Sequence, residues 1–353
     1  MHNSSKCQSQ VIMQLSQGRA GSTVTGNMML RSHPFCGMYI DELMWGIYRT
    51  RIANRDGSGD FEHVLDVFFN STQCVLPTKL WGNAKDGSPG TLGSWFGKRD
   101  RFGMGVKSRG KDYFKIDHQA KVCAELSKQH PPKAVCVKEL KFLGRVGDLL
   151  HGAVRRGVRF SILYLLRDPR ATTLSQLYSF SVKWFQEMAN PMTDVLREQC
   201  RIAASDVQAI IDAPKGVDAT QICFEDFKDR PKGTLSDVYA NFPPFKRWWK
   251  DMGGELIPLE VAEFGDEHIA NWHPNGSEAR KSALKPVQYG QVPVGFDHHY
   301  STDVSRIVHV DSWKDVYIRD KTMQEVWQKD ENCIKLRRIS KCAAAWPDLD
   351  NVP

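Results

Sequence analysis

The stretch VRFSILYLLRD, Val158–Asp168, is an almost unbroken apolar run that stops on an arginine and an aspartate. It is too short to cross a bilayer, which takes about 20 apolar residues. A strand with apolar side chains on both faces is stable only when both faces are covered. That is the situation of a parallel sheet with helices packed above and below it. The run therefore predicts a central strand of an α/β fold.

Other segments read in the same way. QVIMQLS (Gln10–Ser16), AVCVKELKF and QICFEDF are strand-like. STVTGNMML, DFEHVLDVFFN, GRVGDLLHGAVRRG, PRATTLSQLYSFSVKWF, residues 191–211 and GTLSDVYANF have helical patterns, and GMYIDELMW is a further short element. Asp168 stands at a cap position, with Pro169 in the first turn of the helix that follows. Alternation of strands and helices predicts a P-loop-containing, three-layer α/β fold, with a central parallel sheet flanked by helices. Ligands of such sheets bind at the carboxyl ends of the strands. The 353 residues are 41% hydrophobic and 25% charged, ordinary for a folded soluble protein. We expect one domain over 1–353, with a variable Gly-, Ser-, Lys- and Arg-rich insertion at about 82–110 and a divergent segment at about 245–300.

Two strand ends carry the chemistry. The first is QGRAGST, Gln17–Thr23. A strand, a glycine turn and a helix start aim backbone N–H groups at one spot and attract an anion. Gly18 and Gly21 permit the turn, Ala20 lies between them, Ser22 and Thr23 offer hydroxyls, and Arg19 offers a planar cationic fork. The second is RDPRATTLS. Arg167 ends the apolar strand, and Ser175 lies about two turns into the following helix. The formal net charge of +7 suits an anionic ligand but does not specify one.

In this order the two stretches resemble the cofactor motifs of sulfotransferases that use 3′-phosphoadenosine-5′-phosphosulfate (PAPS). The resemblance is nearest to the Golgi-type carbohydrate enzymes of the galactose/N-acetylglucosamine 6-O branch. Their Arg-Ser/Thr-Gly-Ser-Ser loop is similar to Arg19-Ala20-Gly21-Ser22-Thr23, and their Arg-Asp-Pro-Arg-Ala to Arg167–Ala171 with Ser175 downstream. VKELKF resembles a Val-Lys-x-x-Arg-Leu strand with Lys141 at the arginine. CFEDF resembles Arg-Tyr-Glu-Asp-Leu with Cys223 at the arginine. HPFCGMYIDELMW resembles a segment ending in Glu-Pro, with Glu42 then Leu43. Ser312–Cys333 is similar, more loosely, to a C-terminal Trp-Arg…Cys region.

The resemblance implies that Gly18–Thr23 hold the 5′-phosphosulfate, that Arg167 and Ser175 hold the 3′-phosphate, and that the acceptor is a hydroxyl of a carbohydrate or small metabolite. It places a general base at Glu42. His118 is the second candidate, because cytosolic sulfotransferases use histidine. No metal is implied, and His298-His299, without a third ligand, reads as an exposed loop. No nucleic-acid partner is expected. A P-loop kinase of a small metabolite is the alternative, but it calls for a lysine after the second loop glycine, where Ser22 stands. A non-enzymatic binding module would be expected to lack Arg19 or Arg167, and both are present.

The N-terminal residues are polar, and no segment approaches the length of a membrane span, so the sequence predicts a cytoplasmic protein. The Golgi lumen is the alternative if an N-terminal anchor precedes the chain. The nine cysteines include no Cys-x-x-Cys pair. Cys136 and Cys223 sit in strand-like runs and are expected as buried free thiols.

Overall fold

The computed structural model of the chain describes residues 10–18, 20–26, 29–30, 35–41, 61–73, 134–140, 142–179, 190–251 and 313–349. Five strands form one sheet: β1 (Val11–Ser16), β2 (Cys36–Asp41), β3 (Ala134–Glu139), β4 (Phe160–Leu166) and β5 (Asp218–Cys223). They lie in the order β2-β3-β1-β4-β5, and each neighbouring pair is parallel. Every residue of β1, β3 and β4 is buried, as the apolar run of β4 requires.

The helices are α1 (Ser22–Gly26), α2 (Phe61–Thr72), α3 (Val146–Arg155), α4 (Pro169–Ser179), α5 (Pro191–Ile211), α6 (Phe224–Asp229), α7 (Pro231–Asn241) and α8 (Pro243–Asp251). Near the C-terminus follow α9 (Trp313–Arg319), α10 (Lys321–Lys329), α11 (Glu331–Ile339) and a 3-10 turn at Lys341–Ala345. Strand residues alternate between two cores. Val11, Met13 and Leu15 of β1 join Ile162 and Tyr164 of β4 beneath α2–α5 and the C-terminal helices. Ile12, Leu163 and Leu165 face the other way, onto Phe227, Leu235, Tyr239 and Phe245 of α6–α8. The result is the three-layer α/β arrangement expected from the sequence.

QICFEDF differs from its expected form. The strand stops at Cys223, and Phe224–Asp229 is helical. Glu225 and Asp226 lie in the first turn of α6, where the helix dipole favours negative charge. The alternation of side chains alone did not place that boundary.

The cysteine expectation is corrected. Cys136 is bonded to Cys36 across β3 and β2, and Cys223 at the end of β5 is bonded to Cys342 in the 3-10 turn. A third disulfide, Cys200–Cys333, ties α5 to α11. The partners are 100, 119 and 133 residues apart, so spacing in the chain could not reveal them. The fold brings their Cα atoms to between 4.9 and 5.5 Å, within disulfide range.

Asp206 of α5 is fully buried and knits three elements together. It accepts the N–H groups of Gly144 (3.0 Å) and Val146 (3.3 Å) at the start of α3, and the Tyr164 hydroxyl of β4 (3.2 Å). Asp206→Ala leaves these three donors unpaired and should cost about 3 kcal/mol or more, since each orphaned buried group costs about 1–3. Burial lifts the Asp206 carboxyl from 3.8 to about 7, against the pull of its donors. The folded state thus keeps a proton that the unfolded chain releases. This contribution is full below about pH 4 and fades as pH rises through about 7. Chemical denaturation of both proteins across that range should show the penalty shrinking with rising pH.

Candidate functional site

The strand order makes a crevice. From β1 the chain crosses to the edge strand β2, returns to β3 beside β1, and later passes to β4 and β5 on the other side. β1 and β4 are therefore neighbours at the reversal point, where open α/β sheets bind ligands beyond the strand ends. The two sequence motifs follow these two strands.

The loop after β1 is a tight turn. Ala20 N–H donates to the Gln17 carbonyl at 3.2 Å, and Gly21 has φ +86°. A Cβ on Gly21 would lie 2.2 Å from the Phe224 ring, so glycine is required by both conformation and contact. Inside the sheet, the Gln14 side chain donates to the Ser22 carbonyl (3.1 Å) and to the Thr25 hydroxyl (2.8 Å), fastening α1 to β1.

At the end of β4, Arg167 is largely buried, and its guanidinium lies 5.1 Å from the centre of the Phe224 ring. Phe224 therefore packs against both the glycine loop and Arg167. A second link runs through α4. Gln176 donates to the Gly18 carbonyl at 2.9 Å and accepts from Gln199 at 3.1 Å, while Gln17 donates to the Gln199 carbonyl at 3.1 Å. Ser175, beside Gln176, is half-buried. The structure thus brings Gly18, Ala20, Gly21, Ser22, Arg167 and Ser175 to one edge of the sheet. Thr23 lies in α1, and its side chain is outside the described part. Arg19, Glu42, His118 and the 82–110 insertion lie outside the described residues.

Around these residues the structure confirms the expected cap and adds contacts that sequence reasoning missed. Asp168 caps α4, accepting the Arg170 N–H at 2.9 Å, and also pairs with the Arg170 guanidinium at 2.8 Å. Arg170 is buried and donates to the Pro347 carbonyl at 2.8 Å. It fastens the C-terminal segment to the turn that carries Arg167. Glu225 of α6 accepts the Asp168 N–H at 2.9 Å through Oε1. The residue as a whole is half-buried, but Oε2 is closed off and has no hydrogen-bond partner among the described residues. Burial lifts this carboxyl from 4.5 to about 7; the Asp168 charge adds to the lift, and backbone N–H groups and Arg167 oppose it. Helix-start chemistry in FEDF was the available signal for Glu225. Nothing in sequence spacing marked Gln17, Gln176 or Gln199.

Among the described residues, the buried side-chain oxygens without hydrogen-bond partners include those of Ser16, Gln17, Thr172, Thr173, Gln199 and Glu225. Such groups are uncommon in folded interiors and call for an explanation such as a ligand. Arg167, the glycine turn and hydroxyls such as that of Ser16 suit an anionic ligand; the Gln17, Gln199 and Glu225 oxygens only accept hydrogen bonds and do not add to that fit. Among the described residues there is no group of three or more His, Cys, Asp or Glu side chains that could hold a metal ion. None of the described helices is long and apolar enough to cross a membrane.

No protein-family model and no curated protein sequence matches the chain. Among solved structures, it is similar to the sulfotransferase domain of the Synechococcus PCC 7002 olefin synthase, at 15% identity and a TM-score of 0.42, covering 96% of this chain and 95% of that one. It is also similar to the sulfotransferase domain of the curacin biosynthetic pathway, at 17% identity and a TM-score of 0.42, covering 91% of this chain and 97% of that one. Both likenesses are loose, and the functional reading rests on this chain's own residues.

Proposed function

We propose that the protein is a PAPS-dependent sulfotransferase that moves a sulfuryl group to an acceptor hydroxyl of a carbohydrate or small hydroxylated metabolite. One observation carries the reading. The glycine loop after β1 and Arg167 after β4, far apart in the chain, meet across Phe224 at the reversal point of the sheet. Gly18–Thr23 would hold the 5′-phosphosulfate, and Arg167 with Ser175 the 3′-phosphate.

PAPS when bound supplies a sulfuryl group already activated by its link to phosphate. The chain's part is positioning and charge stabilisation. Loop amides and Arg19 balance charge on the phosphosulfate, Ser22 and Thr23 add donors, and Glu42 takes the acceptor proton. His118 is the second candidate for that base. This chemistry makes no demand for a metal. A kinase would place a lysine where Ser22 stands. The three disulfides among the described residues favour an oxidising compartment, so the luminal alternative is preferred over the cytoplasm.

The test is transfer of labelled sulfate from PAPS to a panel of glycans and small alcohols. Transfer by the wild type and its loss in Arg19→Ala are expected. No transfer, together with no binding of adenosine 3′,5′-bisphosphate, would sink the reading. Glu42→Gln should lose about 100-fold or more in turnover, as expected for a general base, and keep its affinity for the bisphosphate. Unchanged turnover removes Glu42 from that role.

A further inference from the structure

Glu225 reaches the turn that carries Arg167 from a separate helix, accepting the Asp168 N–H. One of its oxygens is committed to the Asp168 N–H, which sets the direction in which the chain leaves β4. The other is buried and has no hydrogen-bond partner among the described residues. Phe224, its neighbour in sequence, lies under the Arg167 guanidinium.

We propose that Glu225 is the positioning residue of the Arg167 site, and that it takes up a proton from solvent as an anion settles against Arg167. This rests on the reading of that site as the 3′-phosphate pocket. The physical reason is competition. In the ligand-free protein, Arg167 helps to hold Glu225 in its charged form. A phosphate at Arg167 brings more negative charge next to a carboxylate that burial and Asp168 already disfavour. A proton on Oε2 relieves that repulsion, and Oε1 can go on accepting from Asp168.

The surrounding charges do not replace Glu225 in this role. Asp168 is paired with Arg170. On α6 itself, Lys228 and Asp229 form an ion pair at 3.9 Å. Asp226 faces Lys341 of the 3-10 turn, whose ammonium is disfavoured by burial and supported by Asp226. On α7, Asp237 faces Arg230, at 4.0 Å and exposed. The sign follows from linkage. The bound state holds the proton more tightly than the free state. Affinity is therefore greatest below the free-state titration near 7 and falls as pH rises through it.

The test uses the full chain and Glu225→Gln, with adenosine 3′,5′-bisphosphate as the probe in isothermal titration calorimetry. Glutamine keeps a carbonyl to accept from the Asp168 N–H and removes the titration. The ligand's own phosphate protonation affects both proteins alike. Relative to Glu225→Gln, wild-type affinity should fall by about five- to tenfold between about pH 6 and about pH 8.5, for a coupling of about one pKa unit. Repeating the wild-type titration in buffers of different ionisation heat should show net proton uptake, and this readout stands even if the variant folds poorly. Parallel pH profiles, or binding with no more proton uptake than the ligand accounts for, overturn the inference and leave the sulfotransferase reading intact. No binding to the wild type at any pH removes both.

Discussion

Arg170→Ala is expected to destabilise the protein by about 3–5 kcal/mol, the usual cost of removing one partner of a buried ion pair. Arg170 and Asp168 are both almost completely shielded from solvent, with Nη2 2.8 Å from Oδ2 and Nε 3.1 Å from Oδ1. Burial opposes the arginine's charge, and the charge and hydrogen bonds of Asp168, together with Tyr317, more than offset it, leaving its pKa raised. The guanidinium is also surrounded by aromatic rings, with ring centres at 4.5 Å for Trp327, 4.8 Å for Tyr317 and 5.2 Å for Trp313. Alanine removes these cation–π contacts, frees the Pro347 carbonyl and strands a buried carboxylate. Urea denaturation of wild type, Arg170→Ala and the double variant Asp168→Asn/Arg170→Met measures the effect. The double variant should recover much of the loss, because it removes both charges together. A midpoint for Arg170→Ala within error of wild type would refute the anchoring role.

Arg167→Ala, three positions earlier, should behave in the opposite manner. Its loss of fold stability should be smaller than that of Arg170→Ala, while including the contact with Phe224 and the support Arg167 gives to the Glu225 charge. Its affinity for adenosine 3′,5′-bisphosphate should fall by about 2–5 kcal/mol, as for truncation of one member of a buried charge pair. Arg167→Lys should fall between the two, because lysine keeps the charge but loses the planar fork. Calorimetry on all three proteins, with a denaturation curve for each, separates binding from folding. Undiminished affinity in Arg167→Ala would remove this residue from the phosphate site. The contrast between two arginines of one RDPR segment is informative. One lies at the sheet edge beside Phe224, and the other is sealed among aromatic rings of the C-terminal helices.

Much of the architecture was legible from the chain. VRFSILYLL had to be a strand covered on both faces, and residues 191–211 form the helix their pattern predicted. Asp168 caps α4 as its position before Pro169 suggested. These features depend on neighbours a few residues away, so local sequence carries them. The end of β5 was misread, because an apolar run continues across Cys223–Phe224 while the helix start depends on the acids that follow.

By itself the sequence determined the α/β class, the glycine turn after the first strand and the arginine that ends β4. Those are matters of periodicity, steric freedom and the burial of one apolar run. Only the tertiary structure decided that the two strand ends are neighbours, that Cys136 and Cys223 are bonded rather than free, and that Glu225 reaches the Arg167 turn. Each of these joins residues tens to more than a hundred positions apart. Such contacts form when burial of the two cores brings the segments together, and no local pattern in the chain records them.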